Sequence, residues 1–188
     1  MTTIWLTADL HLGHANIIKY CNRPFKDVEE MDKTLIRKWN ERVKPEDTII
    51  HVGDFCFKNS AGGKIGEGGL NNAAYYQAQL KGNIVFIKGN HDSHNSLRTK
   101  IKSLILEYGN DYYFVIHDPN NANIDYKFNL VGHIHNQWQI ITAPFDYAMA
   151  DKCILYNVGV DVHNFYPVSM QEIINNIAKW NKTKQEKG

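Results

Sequence analysis

Ile4-Trp5-Leu6-Thr7-Ala8-Asp9-Leu10-His11 begins as a short apolar run and ends in an acid and a histidine two residues apart. Five further runs end the same way. Thr48-Ile49-Ile50-His51-Val52 leads into Gly53-Asp54, and Ile84-Val85-Phe86-Ile87-Lys88 into Gly89-Asn90-His91-Asp92. Tyr112-Tyr113-Phe114-Val115-Ile116 leads into His117-Asp118, and Phe128-Asn129-Leu130-Val131 into Gly132-His133-Ile134-His135. Ile154-Leu155-Tyr156-Asn157-Val158 leads into Gly159-Val160-Asp161. Short β-branched and aromatic runs punctuated by glycine predict strands. In open α/β sheets the ligand site lies outside the carboxyl ends of the strands. If these strands share sheets and point one way, their Asp, Asn and His residues meet at one rim. Packing does not account for that, because none of these side chains is stable when buried without a partner.

Helical patterns separate the runs. Asp27 is placed as an N-cap, and Val28, Met31, Leu35, Trp39 and Val43 recur at steps of three and four before Pro45 stops the helix. Leu70 to Leu80 and Ser93 to Glu107 read as further helices, with His94 on an exposed face of the second. Ser169 is expected to cap a last helix that buries Ile173, Ile174, Ile177 and Trp180. The glycine-rich stretch 58–69 lacks the ending of a phosphate-cradling P-loop and reads as a surface loop, with an active-site lid as the alternative. Strands alternating with helices predict the α/β class, with a single domain over 1–180 and a polar tail fraying from Asn181.

Composition narrows the function. A chain of 188 residues suits one domain with a core, and its net charge of +1 supplies no dedicated nucleic-acid surface. No run is long and apolar enough to cross a bilayer, and the first strand starts too near Met1 for a cleaved signal. Cys21, Cys56 and Cys153 are unpatterned, which favours reduced thiols and a cytoplasmic location.

Two metal ions close together need a bridging carboxylate and several neutral or anionic ligands, with positions left open for water and substrate. Those parts occur in order: Asp9-x-His11, Gly53-Asp54, Gly89-Asn90-His91-Asp92, His117, and Gly132-His133-Ile134-His135. In extended backbone, residues two apart point the same way, so Asp9/His11 and His133/His135 would each present both side chains to one centre. Oxygen and nitrogen donors without cysteine suit Mn²⁺, the favoured ion, with Fe, Zn²⁺ or Ni²⁺ as alternatives.

In these blocks (DxH, GD, GNH, a lone His and GHxH, from Asp9 to His135) the chain resembles the calcineurin-like metallophosphoesterases. The segment around His11–His14 and Arg23-Pro24-Phe25 looks like a small bacterial and phage branch of that superfamily. The resemblance implies an αββα sandwich of two mixed β-sheets flanked by helices, with two divalent transition-metal ions at the sheet ends. It also implies hydrolysis of a phosphoester by a metal-bound hydroxide. Carried onto this chain, it gives Asp9, His11 and His135 to one metal, and Asn90, His117 and His133 to the other. Asp54 bridges the two. His91 faces the leaving group, with Asp92 steadying its ring, and Asn90 and His91 also touch the substrate. Protein serine/threonine phosphatases of the family typically follow GNH with Glu and a nearby arginine. Here Asp92 stands in that place and the next arginine is Arg98, so that activity is not expected.

Other polar residues carry two readings each. His14 is either a substrate or supporting contact or a plain surface histidine. Arg23 is either a phosphate clamp or a solvated loop residue. His51 is read as a hydrogen-bonded core histidine rather than support for a ligand, and Asp161 and His163 as residues bordering the pocket. Phe165 and Tyr166 are read as ordinary core packing. The expected partner is a small phosphorylated or nucleotide-like substrate, cyclic nucleotides included, with a phosphodiesterase preferred. Alternatives are a phosphomonoesterase or nuclease of the same fold, or a binding module that retains the fold without catalysis.

Overall fold

A computed structural model describes residues 2–57, 72–93, 95–143 and 153–186. The stretch 58–69 and His94, for which a loop and an exposed helix face were expected, lie outside the described residues. All six apolar runs are strands: β1 (Ile4–Thr7), β2 (Thr48–Val52), β3 (Asn83–Ile87), β5 (Asp111–Ile116), β6 (Phe128–Val131) and β8 (Ile154–Asn157). Three short partners, β4 (Ser103–Tyr108), β7 (Ile140–Thr142) and β9 (Val168–Ser169), complete two mixed sheets. One has the order β3-β2-β1-β9 and the other β4-β5-β6-β8-β7. Within the first, β1, β2 and β3 are parallel and β9 antiparallel. In the second, β5, β6 and β8 are parallel, and β4 and β7 run against them. The six strands that run into the polar blocks are therefore the parallel ones.

The main core lies between the sheets. Leu6, Ala8, Ile50 and Val52 of the first sheet side meet Val115, Leu130 and Tyr156 of the second, and the helix after Ser169 adds Met170, Ile173 and Ile177. That helix, α4 (Met170–Gln185), starts with a full capping box between Ser169 and Glu172. It runs to Gln185, past Asn181, where fraying was expected. Ile174 and Trp180 pack at its edge, partly buried.

A second cluster covers the other face of the first sheet. It includes Met31, Leu35 and Trp39 of α2 (Val28–Arg42), Ile17 of α1 (Ala15–Tyr20) and Tyr76 of α3 (Ala73–Gln77). Asp27 caps α2 as expected, accepting from the Glu30 amide at 2.9 Å. On the outer face of the second sheet a smaller cluster joins Ala143, Cys153 and Leu155 to Trp138 and Ile141. Among the described residues, no helix is long and apolar enough to cross a membrane.

One expected element is wrong. Ser93 to Glu107 is not a helix; its second half is β4, paired antiparallel with β5 from Ser103↔Ile116 to Tyr108↔Asp111. Leu97, Ile101, Leu104 and Ile105 satisfy a helical and an alternating pattern about equally. The decisive signal was the two-residue turn Gly109-Asn110, where Gly109 takes φ +65° and closes the hairpin.

Candidate metal centre

The chain leaves its strands abruptly where the polar residues begin. Asp9, His11, Asp54, His133 and His135 all have φ between 49° and 74°, in the left-handed region. This corrects the extended geometry assumed for Asp9-x-His11 and His133-x-His135. Single left-handed residues turn the backbone at each step, and short polar side chains tolerate that conformation better than branched ones. Non-glycine residues held there cost free energy and cluster at functional sites.

These turns gather two groups of donors. Ligand atoms of Asp9, His11 and His135 lie within 4.8 Å of one another, as do those of Asp54, His117 and His133. Asp54 stands between them: its Oδ2 is 3.5 Å from His11 Nε2 and 3.4 Å from His117 Nε2. Asn90 joins the second group, its Oδ1 lying 3.0 Å from both His117 Nε2 and His133 Nδ1. Among the described residues, His11 Nε2 is buried without a hydrogen-bond partner. An unmet nitrogen in a cleft of carboxylates and imidazoles is costly unless something electropositive completes it. The donor set therefore fits two divalent cations, with Asp54 shared.

Charge is strongly coupled here. Burial raises the Asp9 carboxyl to about 6, against the opposing pull of His117 and His135. Burial pushes Asp54 in the same direction, but the His117 hydrogen bond and the His117 and His11 charges hold it well below the usual carboxylate range. Burial disfavours the charged form of His117, yet Asp54 and Asp9 bring it up to about 9. For His11, burial outweighs the pull of the Asp54 carboxylate and, with the Arg23 and His135 charges adding to it, lowers it well below its ordinary value.

A surrounding layer fixes the donors. His117 Nδ1 meets Val52 O at 2.8 Å, which leaves Nε2 for the centre. His135 Nδ1 meets Asp161 Oδ2 at 3.0 Å. Asp161 in turn accepts from Arg23 Nε at 2.8 Å and Nη2 at 2.9 Å, a two-pronged ion pair. Asn157, fully buried, donates to His135 O at 2.8 Å and Trp138 O at 2.9 Å. Asp32 takes the Gly13 amide and the Tyr76 hydroxyl, pinning the turn after His11. Cys21 also lies within 4.8 Å of ligand atoms of His135 and Asp161, but that carboxylate is already committed to Arg23.

Two expected roles are corrected. Arg23 is not a substrate clamp: it is 4% exposed, and its remaining donors go to Leu10 O, Asp9 O and the Met31 sulfur. A guanidinium with every N–H committed inside the protein has none left for a phosphate. Asp92 does not reach the His91 ring in a hydrogen bond. It accepts from the amides of Asp54, Phe55 and Gly89 and from Asn95 Nδ2, tying the β2 and β3 exits together.

His91 donates its backbone N–H to Asp54 Oδ1 at 2.9 Å and presents a ring that is 53% exposed, with Nε2 4.0 Å from Asp54 Oδ2. His14 borders the centre, its ring 5.6 Å from that of His11 and stacked on Phe57 at 4.3 Å. His51 is buried in the core beside Phe55 and Phe86, but its ring nitrogens make no hydrogen bond among the described residues, contrary to expectation. His163 instead bonds Asn157 O at 2.9 Å. Phe165 packs at the edge of the second core cluster and against Phe25, while the Tyr166 hydroxyl reaches Glu41.

Asp161, Asn157 and Asp32 were underweighted by sequence reasoning. Only Asp161 carried a signal, since Gly159-Val160-Asp161 ends a strand as the ligand blocks do.

The calcineurin-like phosphoesterase family model matches residues 2–166 of this chain. "Uncharacterized protein MJ1445" of Methanocaldococcus jannaschii is 37% identical over 183 residues, covering 95% of this chain and 93% of that protein. "Gene 66 protein" of Mycobacterium phage L5 is 32% identical over 108 residues, covering 57% of this chain and 48% of its own length. Among solved structures, the protein of unknown function AQ665 from Aquifex aeolicus superposes with a TM-score of 0.63 at 21% identity, covering 93% of this chain and 99% of that one. That likeness shows the fold.

Replacing Asp54 by Ala should strip both ions at once, because one carboxylate oxygen faces both donor groups. Metal content by elemental analysis checks this; two equivalents retained would remove Asp54 from the shared position. Asp161→Asn should act on one ion only, weakening its affinity by about 10–100-fold through a loosened His135. Chelator competition should then show one weakened equivalent beside one normal one.

Proposed function

The chain belongs to the calcineurin-like phosphoesterase family, and from that premise we propose that it is a metal-dependent phosphodiesterase acting on a small or nucleotide-like substrate. The observation that carries the reading is Asp54 Oδ2, set 3.5 Å from His11 Nε2 and 3.4 Å from His117 Nε2, between the two donor groups. Oxygen and nitrogen donors favour Mn²⁺, with Fe, Zn²⁺ or Ni²⁺ as alternatives. Divalent cations there supply a water of lowered pKa and neutralise charge on the phosphoryl oxygens.

The protein's own residues do the rest. Val52 O and Asp161 hold the rings of His117 and His135 in one tautomer, so that their other nitrogens stay directed at the centre. Asn90 and His91 lie on the exposed side, where a substrate arrives. His91 is the proton donor to the leaving oxygen: its ring is the exposed imidazole beside Asp54, and its backbone is pinned by that carboxylate.

Preference for a diester is supported by Arg23. A monoesterase gains from an extra cation on the second anionic oxygen of its substrate. The arginine nearest the N-terminal ligand block is instead buried against Asp161. A cytoplasmic setting is supported by Cys21, Cys56 and Cys153, all free and buried.

Turnover of matched aryl monoester and diester substrates with added Mn²⁺ tests the assignment. The diester should have the higher kcat/KM; a monoester advantage of about tenfold, some 1.4 kcal/mol in transition-state binding, overturns the diesterase reading. His91→Ala should keep its metals and lose about 10²–10⁴ in kcat on an alkyl leaving group. The loss should be smaller for a 4-nitrophenyl ester, whose phenolate departs without a proton. Equal losses would make His91 a positioning residue, and lost metal would make it a ligand.

A further inference from the structure

Beside the centre is a cavity of about 380 Å³ that the phosphoester chemistry leaves unused. That is near the lower end of the roughly 300–1,000 Å³ typical of ligand pockets. His133, a donor of the second metal group, lines it. The same six-residue segment, His133 to Trp138, supplies Ile134, Gln137 and Trp138 to the lining. Asn157 holds both parts of that segment through His135 O and Trp138 O, so cavity and centre are braced by one buried side chain. Cavity and centre thus share His133 as a common wall, so a group attached to a phosphate at the centre would have the cavity beside it.

The lining selects what that group is. Trp138, Ile134, Ile141 and Leu155 make an apolar surface with one large aromatic ring. Asn120 and Gln137 add two side-chain amides that make no hydrogen bond with another described residue. Apart from His133, no ionisable side chain among the described residues lines the cavity. A second phosphate or a carboxylate would find no fixed countercharge, and an alkyl arm would cover the amides without pairing them. A flat neutral heterocycle with donors and acceptors along its edge satisfies both: it stacks on the indole and pairs with the amides, each of which both donates and accepts.

Resting on the phosphoester reading above, we propose that this cavity is a nucleobase subsite. It would seat the base of a nucleotidyl ester whose phosphate lies at the metal centre.

Two esters with the same 4-nitrophenolate leaving group test it: thymidine 5′-(4-nitrophenyl phosphate) and methyl 4-nitrophenyl phosphate, with the full chain and Mn²⁺. The thymidine ester should have the higher kcat/KM. Trp138→Ala should lower the ratio of the two by about tenfold, the scale of one lost base–aromatic stack. Because Trp138 also packs against Ala143 and Leu155, Asn120→Ala, on an exposed side chain, provides the second variant and should lower the same ratio severalfold. Calorimetry of metal-free protein with thymidine and adenosine gives a readout without turnover, and Trp138→Ala should abolish the heat. Equal kcat/KM for the two esters with no nucleoside heat overturns the subsite and leaves the phosphoesterase reading intact. Nucleoside heat without turnover of either ester supports the subsite and sinks that reading.

Discussion

Asp9 is a carboxylate with no exposed surface, and the architecture depends on making that tolerable. Its backbone follows β1 of the first sheet, and its amide donates to Gly53 O just past β2. Its side chain reaches the exit of β6 in the second sheet and takes the His133 amide on both oxygens, at 3.1 and 2.9 Å. A buried carboxylate is far more costly unpaired than paired. The two sheets thus share a polar bolt at the end of an otherwise apolar interface, and the ligands are arranged around it.

The glycines follow from the same crowding. A Cβ at Gly132 would lie 2.9 Å from Asp9 Oδ2 and 2.7 Å from Ala8 Cβ. At Gly89 a Cβ would collide with the carboxylate and amide of Asp54. Backbone is packed directly against both acids, so neither can swing away to solvent. Packing of this kind fixes the position of both carboxylates, which lowers the reorganisation that binding an ion would demand.

Much of this was written in the sequence, because strand ends announce themselves. Each ligand block follows an apolar run, and the runs proved to be the parallel strands. The supporting layer was less legible. Nothing local says that Arg23 meets Asp161, 138 residues away, or that Asp92 serves four donors rather than one ring. Those choices belong to tertiary packing. The misread segment before β4 failed for a different reason: a short apolar run fits two periods, and only the Gly109 turn separates them. The left-handed ligand residues were also hidden, since Asp and His give no local warning of positive φ.

The bond between Asp9 and His133 joins residues 124 positions apart. Contacts of that separation carry a chain-closure cost that local helices and hairpins do not. Each group draws on both sheets: Asp9 and His11 after β1 need His135 after β6, and Asp54 after β2 needs His117 and His133 after β5 and β6. A nascent chain shorter than His135 lacks part of both groups, since His133 and His135 come last. Because both groups span the two sheets, an ion held by either would tie the sheets together from the inside.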